Sequence, residues 1–503
     1  MASSDKLDQQ AVGAVKWAAL GTVARFSLQL AVQIVLARLL GPDSYGVFAL
    51  GLLVLTLSTF LADFGFSWGL VQNQEVREED VRFAFTWQFL SGSLAMAAMY
   101  FGADWIAAAF HEPRLGGVVR WLSLTCLLTA LTAPGSNMLR RKLDFRWLNL
   151  IQIASYATGY LLVGLPLAFY GAGVWSLVAA WLVQAASALV YTWWRNPHPL
   201  RPLLWYSGAQ RSTQMGATVF VTNLCNWCLN NLDRVFLGRL LHAHAVGVYT
   251  VAYNLANTPN SLFLTALQPA FLAAGARMQD EPARLRSAYL SILSAVGILI
   301  APLFVLLASV ADALIATLYG PRWDGAGTVL SILALSMPAY IAWGMSTPVL
   351  WNTGGKHLES LLQLPVLAAA AIGLYWCAGQ GVALVALVAA ATLVLRALVI
   401  GGAACRRIGV GAADLAPIAW RSAVMMLLAA GGAYAGTALA ARAGAGSLGL
   451  LAAGGSAGLA LLVLVVALAP RLLGLPVVDL LARFSPPLPR RVGTYLRAKC
   501  LVG

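Results

Sequence analysis

Leu36-Ala-Arg-Leu-Leu40, followed by Gly46-Val-Phe48, is the stretch that decides the fold, because a second copy of it occurs later in the chain. The second copy reads Leu237-Gly-Arg-Leu-Leu241 and then Gly247-Val-Tyr249, and every matched residue lies 201 positions further on without a gap. A constant offset of this kind indicates an internal duplication. The two halves of the protein are therefore expected to share one architecture.

The composition places both copies in a membrane. Hydrophobic residues make up 60% of the 503 residues and charged residues only 10%, whereas soluble proteins contain roughly a quarter charged residues. Apolar stretches of about 18 residues or more, long enough to cross a ~30 Å hydrocarbon core as a helix, recur along the chain. We predict an all-α polytopic membrane protein with about fourteen transmembrane helices, at residues 14–36, 45–70, 83–109, 115–137, 148–170, 174–194, 212–237, 245–274, 286–308, 326–350, 358–377, 381–404, 417–440 and 446–469.

Lysine and arginine residues divide unequally between the two sides of the predicted membrane. The side that carries both termini holds 23 of the 33, and the opposite side holds five: Arg38, Arg114, Arg239, Arg322 and Arg442. Because cytoplasmic connections are enriched in basic residues, both termini are predicted to be cytoplasmic. The net charge of +14 is then explained by the basic residues of the cytoplasmic connections. It predicts anionic membrane lipids rather than nucleic acid as partners.

The position of the repeat predicts the domain organisation. Six predicted spans separate the copies, so spans 1 and 7 run in the same direction, and the repeat is parallel with its pseudo-axis along the membrane normal. The predicted domains are an N-terminal lobe at 1–200 with spans 1–6, a C-terminal lobe at 201–410 with spans 7–12, and a region at 411–503 with spans 13–14 and a basic cytoplasmic tail.

The repeat also superimposes polar residues inside two apolar spans. The aligned sets are Thr22, Arg25, Gln29 and Gln33 in span 1, and Asn223, Asn226, Asn230 and Arg234 in span 7. At 100° per residue each set forms one stripe on its helix. A charged side chain at the centre of a helix in lipid costs ~2.5–3.5 kcal/mol, so we expect both stripes to line a shared aqueous cavity. Hydrogen bonding between helices is the alternative, above all for the asparagines.

The charges near these stripes predict the chemistry of the substrate. Asp63 in span 2 and Asp233 beside Arg234 are the candidate charge partners or coupling residues, and Arg396 in span 12 adds positive charge. Extension of the Arg396 side chain to the cytoplasmic surface is an alternative to a cavity role. A net positive cavity suits an anion such as a diphosphate, whose oxygens match the planar donors of arginine. We predict no metal site and no cofactor.

Longer motifs resemble one known family. They lie at 36–48 (LARLLGPDSYGVF), 62–72 (ADFGFSWGLVQ), 139–146 (LRRKLDFR), 231–239 (NLDRVFLGR) and 318–323 (LYGPRW). In these segments the chain resembles the Wzx-type polysaccharide flippases of the multidrug/oligosaccharidyl-lipid/polysaccharide superfamily. The similarity extends through about residue 400.

The resemblance implies two six-helix lobes around a central cavity, with two additional C-terminal helices. It implies a flippase and not an enzyme. Such a flippase moves an undecaprenyl-diphosphate-linked oligosaccharide repeat unit across the bacterial inner membrane by alternating access. The product would serve exopolysaccharide, capsule or O-antigen (lipopolysaccharide) biosynthesis. Cavity arginines, Arg25 first, would contact the diphosphate or anionic sugars. Polymerase and chain-length or export proteins of the same pathway are the implied protein partners.

Two alternative functions stay open. A membrane polymerase or ligase acts on the same lipid-linked sugars, but it is expected to carry a sizeable periplasmic loop with catalytic arginine or histidine residues. The longest predicted outer connection, at about 311–325, is short. A drug or cation antiporter of the same superfamily is expected to carry acidic groups deep in its cavity, where this sequence has arginine.

Overall fold

The computed structural model describes residues 2–62, 77–197, 201–206, 226–474 and 477–478, with the backbone alone for residues 2–25, 60–62 and 356. These ranges form long helices with short connections and contain no β-strand. The helices are α1 (Ala2–Ala62), α2 (Glu78–Ala109), α3 (Pro113–Arg141), α4 (Phe145–Phe169), α5 (Val174–Arg195), α6 (226–240), α7 (His242–Ala276), α8 (Pro282–Ser309), α9 (Ala311–Leu318), α10 (Ala326–Asn352), α11 (Lys356–Cys377), α12 (Val382–Arg407), α13 (Ala412–Arg442) and α14 (Ser447–Leu468).

Ten of the described helical segments are long and apolar enough to cross a membrane, which confirms the prediction of an all-helical, multi-pass membrane protein. The helices α2 and α7 coincide with two further predicted spans, 83–109 and 245–274. Parts of the predicted spans 45–70 and 212–237 lie outside the described residues. The total of fourteen crossings therefore stays a prediction.

The first predicted span and the described part of the second both lie in α1, which consists of two helical segments that meet at a kink at Gly41. Gly41 has φ 73° and ψ 174°, a conformation that glycine adopts without the steric penalty of a Cβ atom. Pro42 follows and suits the first turn of a new helical segment, because its missing N–H would have no partner there. The loop expected between the two spans is therefore reduced to a bend.

The described chain divides into two compact units, residues Met1–Gly247 and Val248–Gly503. In the first unit α2 packs along α3, and a Cβ atom placed on Gly92 would stand 2.5 Å from the Cβ atom of Ala130. In the second unit α13 packs along α14, where a Cβ atom on Gly432 would stand 2.9 Å from the Cα atom of Gly458. Small residues let these apolar helices approach closely, as is usual where lipid removes a hydrophobic driving force.

The longest predicted outer connection is folded rather than open. It contains the short helix α9 and a 3₁₀ turn at Pro321–Trp323. The Trp323 side chain is only 1% exposed and lies against Tyr319, with 5.6 Å between the ring centroids. This connection is a short, packed element of the second unit.

A segment at 201–206, here called the strap, lies against the start of α2. Arg82 donates to the carbonyl oxygen of Arg201 at 3.1 Å, and Trp87 donates from Nε1 to the carbonyl oxygen of Leu204 at 3.0 Å. The N–H of Leu203 donates to Oγ1 of Thr86 at 2.8 Å, and the hydroxyl of Tyr206 donates to Asp80. These bonds fix the strap on the first unit.

Candidate functional site

The stripe predicted for span 1 lies on the segment of α1 that precedes the kink at Gly41. Gln29 and Gln33 are half-buried, and Arg25 belongs to the same helix, although its side chain is outside the described set. The hydroxyl of Tyr156 on α4 donates to the carbonyl oxygen of Gln29 at 3.4 Å. The structure therefore keeps the four-residue spacing that places these residues on one face.

The stripe predicted for span 7 lies on α6. Asn226 and Asn230 are half-buried there, while Asn223 and the candidate charge partner Asp63 fall outside the described residues. Nη1 of Arg234 donates to Oδ1 of Asn231 at 3.0 Å. Asp233 is buried, and its carboxylate accepts from the backbone N–H of Arg234 at 2.8 Å.

Two residues on α6 that the sequence reasoning missed hold this helix in place. Nδ2 of Asn231 donates to the carbonyl oxygen of Trp227 at 2.9 Å, and Nε1 of Trp227 donates to Oγ1 of Thr56 on α1 at 3.0 Å. Trp227 and Asn231 are four residues apart, so their spacing alone indicated a shared face. The Arg234 head group is thereby supported by a chain of hydrogen bonds that ends on α1.

Arg396 of α12 is buried in the second unit. Its side chain is 1% exposed, and its guanidinium carbon lies 3.6 Å from the ring centroid of Trp343 on α10. Nη2 donates to Oε1 of Gln363 on α11 at 3.2 Å. A cation over the face of a desolvated tryptophan is a favourable contact, worth about 2 kcal/mol. The interpretation that Arg396 extends to the membrane surface is therefore wrong.

Glu359, also missed from the sequence, supplies the negative charge of this cluster. Its carboxylate accepts from Oγ1 of Thr347 at 2.8 Å and from Nε1 of Trp351 at 2.6 Å. Nε2 of Gln363 donates to the same carboxylate at 3.3 Å, so the Gln363 amide bridges Glu359 and Arg396. The i, i+4 spacing of Glu359 and Gln363 was the available signal.

The predicted residues thus fall into two groups. The described members of the two stripes lie in the first unit, and Arg396 lies in a charge-balanced cluster of the second unit. Glu359 adds an acid to the two that the sequence suggested, Asp63 and Asp233. In the first unit, by contrast, the stripes present amide groups and arginine.

Comparison with known proteins identifies relatives in polysaccharide biosynthesis. The model of the family described as "Polysaccharide biosynthesis protein" matches residues 35–327. The lipopolysaccharide biosynthesis protein WzxC of Escherichia coli is 24% identical over 335 residues, which cover 65% of this chain and 67% of WzxC. The succinoglycan biosynthesis transport protein ExoT of Rhizobium meliloti is 25% identical over 323 residues, which cover 64% of this chain and 65% of ExoT.

Solved structures share the fold at low sequence identity. The lipid II flippase MurJ superposes with a TM-score of 0.72 and 12% identity, covering 90% of this chain and 98% of MurJ. A multidrug resistance MATE family transporter of the MOP superfamily superposes with a TM-score of 0.60 and 14% identity, covering 76% of this chain and 94% of the transporter. The chain has the helical fold of these membrane transporters, and it belongs to the polysaccharide biosynthesis protein family, whose model matches more than half of its length.

Proposed function

We propose that this protein is a flippase that moves an undecaprenyl-diphosphate-linked oligosaccharide repeat unit across the bacterial inner membrane by alternating access. The observation that carries the proposal is the polar, arginine-containing stripe repeated at the same positions of two apolar helices in a member of this family. The names of its relatives support a role in polysaccharide export, and the fold shared with a lipid flippase supports transport rather than catalysis.

The proposed architecture follows from the repeat. Fourteen spans form an N-terminal lobe at 1–200 and a C-terminal lobe at 201–410 around a central cavity, with two further spans and a tail at 411–503. Both termini face the cytoplasm. Anionic lipids contact the basic cytoplasmic connections, and polymerase and export proteins of the same pathway are the proposed protein partners.

We assign substrate binding first to Arg25, whose guanidinium would pair with diphosphate oxygens. Amide side chains of the two stripes would bind the sugar or the remaining phosphate oxygens. Arg396 takes second place, because Gln363 and Trp343 already engage its guanidinium. The residues of the proposed cavity are Arg25, Gln29, Gln33, Asn223, Asn226, Asn230 and Arg234.

Deletion of the gene tests this function against both alternatives. The flippase is expected to be required for export, so its loss should stop polymer production and leave lipid-linked repeat units on the cytoplasmic leaflet. Loss of a polymerase or ligase would instead leave repeat units on the outer leaflet, and loss of a drug antiporter would leave polymer export intact. Leaflet-specific labelling of the lipid-linked sugars separates the three results.

Complementation of the deletion strain then tests the assignment of Arg25. The Arg25→Gln variant should abolish export at normal membrane abundance, and Arg25→Lys should restore only part of it, because an ammonium lacks the bidentate donors of guanidinium. The matched control is Arg442→Gln, which removes an exposed arginine at the end of α13 and should export normally. Full export by Arg25→Gln would leave the span 1 stripe as helix packing.

A further inference from the structure

The two copies of the repeat touch each other through equivalent residues. A Cβ atom placed on Gly46 would collide with the carbonyl oxygen of Ala243, and one placed on Gly247 would collide with the carbonyl oxygen of Pro42. The Cβ atom added to Gly46 would also stand 3.0 Å from the backbone nitrogen of Gly247, and the Cβ atom added to Gly247 would stand 3.1 Å from the backbone nitrogen of Gly46. Pro42 and Ala243 are themselves 201 positions apart, as are Gly46 and Gly247. A reciprocal contact of this kind is the signature of a twofold relation.

One side-chain contact lies on this local axis. Nδ1 of His244 stands 3.3 Å from Oδ1 of Asp43, and these residues are also 201 positions apart. A residue that touches its own counterpart lies on the twofold axis, so identical copies would place two aspartates or two histidines against each other. The copies differ at these positions, with Pro42-Asp43 in the first and Ala243-His244 in the second. The difference converts a like pair into a complementary one.

We propose that Asp43 and His244 form a charge latch on the axis, which must part in each transport cycle and which closes more firmly when His244 is protonated from the outer side. The latch rests on the proposed function, since it assumes that the two copies move apart at this end. Both side chains are more than half exposed, at 62% for Asp43 and 56% for His244. Both lie in predicted outer connections, between spans 1 and 2 and between spans 7 and 8, where we expect protons to reach them from bulk water.

The sign of the pH effect follows from the two groups. An imidazole changes charge between about pH 5 and 8. When the His244 ring is protonated, an imidazolium faces the Asp43 carboxylate, and the charged hydrogen bond is roughly twice as strong as a neutral one. A neutral ring can still donate from Nδ1, so loss of the proton weakens the latch and does not abolish it.

Other charged groups surround the latch but do not reproduce this response. Glu112 binds Arg114 through two hydrogen bonds of 2.8 and 2.9 Å, and the Arg114 guanidinium holds the pKa of Glu112 below its ordinary value. Glu112 therefore stays ionised throughout the window in which an imidazole titrates. Arg114 also interacts electrostatically with Asp43, and His242 does so with Glu112. His111, which precedes Glu112, and His242 are two further imidazoles in the described part of these connections, so each requires a control.

Spin labels report the opening without any transport assay. The exposed counterpart residues Arg38 and Arg239 stand one helical turn before the contact and are replaced by labelled cysteines in a variant without the six native cysteines. In liposomes the ratio of short to long distances is expected to rise about two- to fivefold from pH 8 to pH 5.5, as suits an exposed ion pair. The variants Asp43→Asn and His244→Gln should lose this response, whereas His111→Gln and His242→Gln should keep it. An unchanged response in both latch variants, or none in the parent, would overturn the latch.

A cross-link between the latch positions tests whether they part. Joining the Asp43→Cys/His244→Cys pair with a short bismaleimide should stop export, and each single variant treated in the same way should export. Full export by the cross-linked pair would show that the contact is a static junction. If the labels respond to pH as expected while gene deletion leaves export intact, the proposed function fails and the latch stands. If deletion stops export while the cross-linked pair transports, the latch fails and the function stands.

Discussion

At the scale of single residues, Arg396 is buried inside the second unit, where Gln363 and Trp343 engage its guanidinium. Replacing Arg396 with Gln removes the hydrogen bond to Gln363 and the contact with the Trp343 ring, and it leaves Glu359 as a buried charge without its balancing cation. We expect the free energy of unfolding to fall by about 2–4 kcal/mol. Thermal unfolding of the purified protein in detergent measures this loss as a fall of a few degrees in Tm.

The double variant Arg396→Gln/Glu359→Gln provides the control for this effect. Removing both charges should cost less than the two single changes together, because no buried charge is then left uncompensated. Strictly additive losses would mean that Gln363 does not couple the two groups. Arg442→Gln, which changes an exposed arginine, should leave the unfolding temperature unchanged.

At the scale of elements, the glycines of the repeat contact predict a symmetrical pair of defects. A methyl group on Gly46 or on Gly247 meets a backbone carbonyl that no side-chain rotation can move aside. Each of the variants Gly46→Ala and Gly247→Ala should therefore destabilise the closed contact by about 1–3 kcal/mol, as overpacking does elsewhere. The label pair at Arg38 and Arg239 should report more of the long distance in both.

The matched control for the glycine pair is Gly431→Ala on α13. A Cβ atom at Gly431 meets nothing within 4 Å, and alanine favours a helix over glycine by up to ~1 kcal/mol. This variant should be neutral or slightly stabilised. A large defect at only one of Gly46 and Gly247 would contradict a reciprocal contact.

At the scale of the whole molecule, the distribution of basic residues predicts the orientation of the chain. Connections rich in lysine and arginine stay in the cytoplasm. Reporter fusions at His198 and Gln279 should therefore be located in the cytoplasm, and fusions at Arg114 and Arg442, in connections with few basic residues, should be located in the periplasm. Alkaline phosphatase and green fluorescent protein fusions, which are active on opposite sides, measure this directly. A pair with exchanged activities would mean that one span has been miscounted.

Apolar runs predicted where the described helices lie, because in a membrane both the length and the composition of a span are constrained. They did not predict that spans 1 and 2 are joined by a kink at Gly41 instead of a loop, since hydropathy carries no information on a single backbone angle. Glu359 was missed because the first turn of a span is an ordinary place for an exposed acid, and its burial depends on how α10, α11 and α12 pack. The repeat identified Gly46 and Gly247 as equivalent residues, but an offset in sequence does not show that they touch.

The strap at 201–206 bears on how a duplicated chain avoids pairing with the wrong copy. Its bonds to α2 hold the chain on the first unit as far as Tyr206, and the first span of the C-terminal lobe is predicted to begin at residue 212, six positions later. A tether this short gives the second copy a high effective concentration beside its own first copy. Two similar halves could otherwise exchange partners between neighbouring molecules in a crowded membrane, as domain-swapped proteins do. The strap therefore favours assembly within one chain before a foreign half can compete.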